Sequence, residues 1–253
     1  MGQPGRHAFI TGGGSGIGLA IATALSGTGC QVTIAGRNAE RLSAAAAALP
    51  GLHTQRVDVT DAGAVETAME AAAATSGPVQ LLVNNAGGVT SAPFERLSLQ
   101  SWREALDLNL MGAVHCIRAA LPAMRASGWG RIVNIASTAG LTGFRFVSAY
   151  VASKHALVGL TKALALEVAT AGITVNAVCP GYTDTAIVAS AVQKISSATG
   201  RTEEEALATL LTTNPQGHLI APHEVAAAVL WLCSNEAAAV SGIALPIAGG
   251  PVG

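Results

Sequence analysis

Seven short apolar runs alternate with amphipathic stretches along the whole chain, and this rhythm constrains the fold more than any other feature. The strand-like runs cover 7–11, 31–36, 53–58, 79–84, 131–136, 173–178 and 242–247. The helix-like stretches cover 16–28, 39–48, 62–76, 99–126, 149–170, 203–212 and 222–234. Such alternation makes successive strands parallel and sends the connecting helices over both faces of the sheet. The expectation is therefore an α/β, doubly wound fold with one domain over 1–253. The chain is 50% hydrophobic and only 11% charged. No run reaches the roughly 18 uninterrupted apolar residues of a membrane-crossing helix. Parallel strands buried on both faces account for the apolar excess. Asn38 and Ser98 suit helix N-caps, and Pro222 suits a first helical turn.

The first strand, Arg6-His-Ala-Phe-Ile10, runs into Thr11-Gly-Gly-Gly-Ser-Gly-Ile-Gly18 and then into a helix. Strand, glycine-rich turn and helix bring free backbone N–H groups and the positive end of a helix dipole to one place, which suits a pyrophosphate. The glycines, spaced GxxxGxG at Gly12, Gly16 and Gly18, allow backbone and ligand to approach closely. Asn84-Asn-Ala-Gly87 ends the strand-like run 79–84, and Pro180-Gly-Tyr-Thr-Asp-Thr185 follows the run 173–178. Ligands in open α/β sheets bind at these C-terminal strand ends.

Tyr150-Val-Ala-Ser-Lys154 lies thirteen positions after Ser137. Tyr150 and Lys154 sit one turn apart on a single helix face. An ammonium beside a phenol favours the phenolate and lowers its pKa. Bringing a phenol from ~10 to near neutrality asks for roughly 4 kcal/mol. The product is an acid/base able to exchange a proton with an alcohol oxygen.

These motifs stand in order and in register, and together with Asn109 in the stretch 99–126 the chain resembles the short-chain dehydrogenase/reductase family over essentially its whole length. The region 130–181 looks especially like 3-oxoacyl thioester reductases and polyketide ketoreductases. The resemblance implies a Rossmann fold with a seven-stranded parallel sheet in the order 3-2-1-4-5-6-7. It implies Tyr150 as proton donor and acceptor, Lys154 as the group that lowers its pKa and holds the nicotinamide ribose, and Ser137 as the group that polarises the substrate carbonyl. Asn109 would order a water that links Lys154 to bulk solvent. The dinucleotide would meet Gly12, Gly14, Ser15, Gly16, Ile17 and Gly18 of the turn, Arg37 and Asn38 after the second strand, and Asp58 and Val59 after the third. Asn85, Ala86 and Gly87 would follow, with Pro180, Gly181, Thr183 and Thr185 near the nicotinamide. The family places a substrate-covering loop at 186–220, where one short helix breaks the rhythm here.

The end of the second strand, Thr33-Ile-Ala-Gly-Arg-Asn38, bears on the choice of cofactor. An acid near this point favours NAD by holding the ribose 2′-hydroxyl. Gly36 stands there instead. Arg37 follows, and a guanidinium can bind a 2′-phosphate bidentately. NADP(H) is thus expected over NAD(H), although Ser15 occupies a position where the family has a second basic residue.

Candidate pocket residues are mostly apolar: Val89, Thr90, Ala139, Leu141, Phe144, Phe146, Tyr182, Ile187 and Val188. A medium-sized ketone or secondary alcohol fits them, with Arg145 placed to meet a phosphate of a CoA or carrier-protein arm. Cyclic, aromatic, steroid or 3-hydroxyacyl-CoA alcohols are the alternative, and a non-catalytic dinucleotide-binding regulator is a remote one. Net charge is −1, which gives no sign of a nucleic-acid or membrane partner. Met1–Arg6 carries no apolar targeting segment. Cys30, Cys116, Cys179 and Cys233 lack metal-ligand spacing and read as buried thiols of a cytoplasmic protein. The resemblance implies a homotetramer.

Overall fold

Residues 4–252 are described in a computed structural model; residues 1–3, and Gly253 of the tail, lie outside the described residues. Seven parallel strands form one sheet in the order β3-β2-β1-β4-β5-β6-β7. They are β1 (His7–Thr11), β2 (Gln31–Gly36), β3 (Leu52–Arg56), β4 (Val79–Asn84), β5 (Gly130–Ile135), β6 (Ile173–Pro180) and β7 (Ala244–Ile247). The predicted order is the observed one. β1 pairs with β2 on one side and β4 on the other, both in parallel. The chain order reverses between β1 and β4, and a cleft opens there beyond the C-terminal strand ends.

Alternation along the strands feeds two cores. Ala8 and Ile10 of β1, with Leu81 and Val83 of β4, pack under α1 (Gly16–Ser26), α2 (Ala39–Ala48) and α9 (Pro222–Cys233). Phe9 and Leu82 face the other way, onto α3 (Ala62–Ser76), α5 (Gly112–Ser127) and α6 (Ser148–Glu167). All five β1 side chains are buried, as a central parallel strand requires. Asn38 and Ser98 cap α2 and α4 (Leu99–Leu106), and Pro222 opens α9.

The predicted helix 99–126 is present but is not α-helical throughout. A π turn over Asp107–Met111 separates α4 from α5, and Asn109 lies in it. The stretch 186–220 holds two helices rather than one, α7 (Ala186–Thr199) and α8 (Glu203–Leu211). Gly200 (φ +70°) ends the first, and the Thr202–Glu205 capping box begins the second. Val188 and Val192 of α7 meet Ala206 of α8 in a small core of their own. No described helix is long and apolar enough to cross a membrane.

Candidate active site

The glycine turn is tied to β4 by one hydroxyl. Thr11 Oγ1 accepts the N–H groups of Asn85 (3.0 Å) and Ala86 (2.9 Å). Asn85 Nδ2 returns bonds to the carbonyls of Thr11 (3.0 Å) and Gly12 (3.2 Å). A Cβ on Gly18 would stand 2.3 Å from Gly12 O and 2.5 Å from Asn85 Nδ2, so that position excludes any side chain. Gly12 combines φ +66° with a Cβ direction 2.8 Å from the same amide. Ser15 is the N-cap of α1, yet no side chain caps that helix and its first turn holds no acid. Its N–H groups are thereby left for an anion. Ile17 packs against the core beneath. A cavity of about 240 Å³ opens above the turn.

That cavity is lined by Gly12, Gly14, Ser15, Arg37, Asn38, Asp58, Val59, Ala86 and Gly87, and also by Arg41 and Leu108. Asn38 Oδ1 is spent on capping α2 through Arg41 N (2.8 Å). Burial pushes the Asp58 carboxyl up, but the N–H and hydroxyl of Thr60 and the nearby Arg37 together leave it below the usual carboxylate range. Arg37 Nη1 stands 3.7 Å from Asp58, and its side chain is 68% exposed. An ion pair that open adds little stability, so the guanidinium is free to take another anion. Val59 Cγ2 lies 2.7 Å from where a Gly112 Cβ would stand, and its carbonyl meets His115 Nδ1 at 2.9 Å. Arg41 and Leu108 were not anticipated. Arg41 had a signal, since it falls in the first turn of a helix whose cap borders Arg37.

Ser137, Tyr150, Lys154 and Asn109 come together around the C-terminal end of β5. Ser137 starts a 3-10 turn, Thr138–Gly140, and its hydroxyl accepts Ala139 N–H at 3.1 Å. Ala139 itself is buried. A Cβ on Gly140 would stand 2.8 Å from Lys154 O, so this glycine lets the turn pack directly on α6. Lys154 is 4% exposed, and its Nζ donates to Ile135 O at 2.8 Å. It lies 5.7 Å from the Tyr150 ring centre. α6 is held in place by buried polar bonds from Asn84 Nδ2 to Asn134 Oδ1 (2.8 Å) and from Asn134 Nδ2 to Thr161 Oγ1 (2.9 Å).

Two titrations run against the simple expectation. Burial raises the Tyr150 phenol above its ordinary value, opposed by a hydrogen bond with Ser137. Burial also lowers Lys154, to about 8, and its ammonium is directed at Ile135 O. Cys179, fully buried beside Ser137 and Lys154, is pushed up to about 11 and stays a neutral thiol.

Asn109 is 2% exposed. Its Oδ1 accepts Gly88 N–H (3.0 Å), and its Nδ2 donates to the carbonyls of Gly88 (3.0 Å) and Ala105 (2.9 Å). Both amide protons are thus committed to protein. A Cβ on Gly87 would lie 2.8 Å from Asn109 Oδ1 and 3.5 Å from Lys154 Nζ, so the three positions are neighbours.

Thr185 approaches the glycine turn, its Cγ2 3.2 Å from where a Gly16 Cβ would stand. Thr183 is buried and donates to Gly181 O at 3.0 Å. Pro180 ends β6, buried opposite Ile247. Phe144 and Tyr182 meet edge to face at 6.4 Å. A second cavity, about 360 Å³, is lined by Thr138, Thr142, Gly143, Phe144, Arg145, Thr213, Pro251 and Val252. Among the predicted pocket residues, Val188 belongs instead to the α7–α8 core. Phe146 has φ +66°, rare for a bulky side chain, and its carbonyl accepts Ala92 N–H at 2.8 Å. That bond joins the segment after β4 to the one before α6.

The sequence profile of the short chain dehydrogenase family matches residues 6–196. The chain belongs to the short-chain dehydrogenase family. It is 38% identical to a D-beta-hydroxybutyrate dehydrogenase of Rhizobium meliloti (strain 1021), over 97% of this chain and 98% of the relative. It is 36% identical to an acetoacetyl-CoA reductase of the same organism, over 97% and 98%. A crystal structure of a single-substitution variant of actinorhodin polyketide ketoreductase with NADPH superposes with a TM-score of 0.94. Its sequence identity is 38%, with 99% of this chain and 98% of that one covered. This short-chain dehydrogenase is accordingly an oxidoreductase of ketones and alcohols.

Proposed function

We propose that the protein is an NADP(H)-dependent reductase of 3-oxoacyl thioesters, or of ketones of similar size and polarity. The observation that carries this is the cavity shared by Arg37 and Arg41 above the uncapped α1 terminus, with no acid at Gly36. Arg37 takes the 2′-phosphate, and Arg41 supplies the second positive charge that Ser15 does not. The turn from Gly12 to Gly18 seats the pyrophosphate, Asp58 and Val59 border the adenine, and Asn85, Ala86 and Gly87 follow the ribose. Pro180, Gly181, Thr183 and Thr185 hold the carboxamide end. When bound, the nicotinamide supplies or accepts the hydride.

The chain's own residues do the rest. Ser137 donates a hydrogen bond to the substrate oxygen, and Tyr150 delivers or removes its proton. Lys154 holds the ribose. With an anionic transition state beside it, its charge also favours the phenolate. Asn109 holds the π turn and Gly87–Gly88 next to Lys154, where a water serves the proton relay. α7 and α8 form the lid over a substrate pocket that includes Ala139, Phe144 and Tyr182. Arg145 in the second cavity meets a phosphate of a CoA or carrier arm. The working protein is a cytoplasmic homotetramer.

Binding of NADPH and NADH to wild type and Arg37→Ala tests the cofactor reading. Charge-assisted bonds contribute about 1.5–3 kcal/mol. The variant should therefore lose roughly tenfold or more in NADPH affinity while NADH binding stays within about twofold. Tighter NADH binding by wild type would overturn the assignment.

A further inference from the structure

One buried amide joins the lid to the loop that faces the glycine turn. Asn214 follows α8 and is 2% exposed. Its Oδ1 accepts Tyr182 N–H at 3.2 Å, and its Nδ2 donates to the carbonyls of Tyr182 (3.0 Å) and His218 (2.9 Å). Backbone bonds continue the seam. Ile220 N–H donates to Tyr182 O and Asp184 N–H to Ile220 O, each at 2.9 Å, and Thr183 bridges Ile220 in parallel. The lid is thus an excursion whose two ends are fastened together, with Asn214 inside the clasp.

The surroundings leave that amide little freedom. A Cβ on Gly181 would stand 2.6 Å from Asn214 Oδ1, and one on Gly250 would stand 2.8 Å from the ring of Pro215. α7 and α8 pack on each other, with Tyr182 and Leu219 at the edge of their small core, and Phe144 meets Tyr182 from outside. The clasp is the polar tie that fixes where this unit leaves and rejoins the sheet.

We propose that Asn214 is a positioning residue for the nicotinamide end of the dinucleotide, fixing Gly181–Thr183 from behind and setting the lid relative to it. This rests on the reading above that Thr183 and Thr185 meet the carboxamide. An amide is the side chain that fits: it offers one acceptor to an N–H and two donors to carbonyls. A carboxylate at the same place would face two carbonyl oxygens with no proton to give.

The test compares the whole dinucleotide with a fragment that lacks nicotinamide. NADPH is paired with 2′-phospho-ADP-ribose, and NADH with ADP-ribose, in wild type, Asn214→Asp and Gly181→Ala. Gly181→Ala disturbs the amide from the other side and keeps the question answerable if the first variant does not fold. The expected result is tenfold or greater weakening of the dinucleotide, fragment affinity within twofold, and a matching fall in kcat. Equal weakening of dinucleotide and fragment, or no change in either, overturns the proposal. A clean split in a protein that turns over no ketone would support Asn214's role and contradict the proposed reaction instead.

Discussion

Burial pulls the Lys154 ammonium down to about 8 while it pushes the Tyr150 phenol up, because in both groups it penalises the charged form. The sign of the lysine's effect on stability follows. Between the folded value of about 8 and the unfolded 10.5, the unfolded chain keeps a proton that the folded chain has released. Stability therefore rises with pH across that window, and below it the cost of the buried ammonium is fully present. Relative to Lys154→Met, wild type should gain on the order of 2 kcal/mol between pH 8 and 10, read from denaturant unfolding; a constant difference would refute the titration. The sequence singles out Tyr150 and Lys154 by their shared helix turn and Ser137 through the family resemblance, and the structure brings the three together, Ser137 in the turn just after β5. The work of Asn109 and Asn214 was not legible in the sequence, because their partners are backbone groups 21 and 32 residues away.

Between elements, Thr11 carries the join of β1 and β4. It is 2% exposed, and its hydroxyl is the acceptor for two backbone N–H groups. Thr11→Val keeps the shape and orphans both, at about 1–3 kcal/mol each. We expect a loss of roughly 2 kcal/mol or more in urea unfolding together with weaker dinucleotide binding; unchanged stability would mean the loop re-forms its bonds elsewhere. Thr11 itself was readable as the last strand residue before the glycines, but its bonds to Asn85 and Ala86 were not. The helix Ala186–Thr199 escaped detection because Val, Ile, Ser and Thr are indifferent helix formers, though Gly200 and the Thr202–Glu205 box marked the break after it. The π turn has no signature that periodicity can see: it adds one residue to a helix that otherwise reads as continuous.

At the scale of the molecule, the parallel sheet covered on both faces followed from strand–helix alternation, because a strand buried on two faces leaves an apolar run that little else explains, while the strand order came with the family resemblance. What packs outside the sheet was less legible. Leu99 on α4 and Leu166 on α6 are 75% and 82% exposed, which suits a face covered by another copy. A homotetramer of the 25.2 kDa chain is expected in sedimentation, and Leu166→Lys should shift it toward smaller species; a wild-type monomer would refute this. The central claim, that Tyr150 passes the proton as a dinucleotide reduces a ketone, is tested most directly by NADPH oxidation on acetoacetyl-CoA with wild type and Tyr150→Phe. General acid–base groups contribute roughly 10²–10⁴-fold. The account predicts brisk turnover by wild type and at least a hundredfold slower reaction by the variant at unchanged NADPH affinity. Equal rates in the two proteins would contradict it.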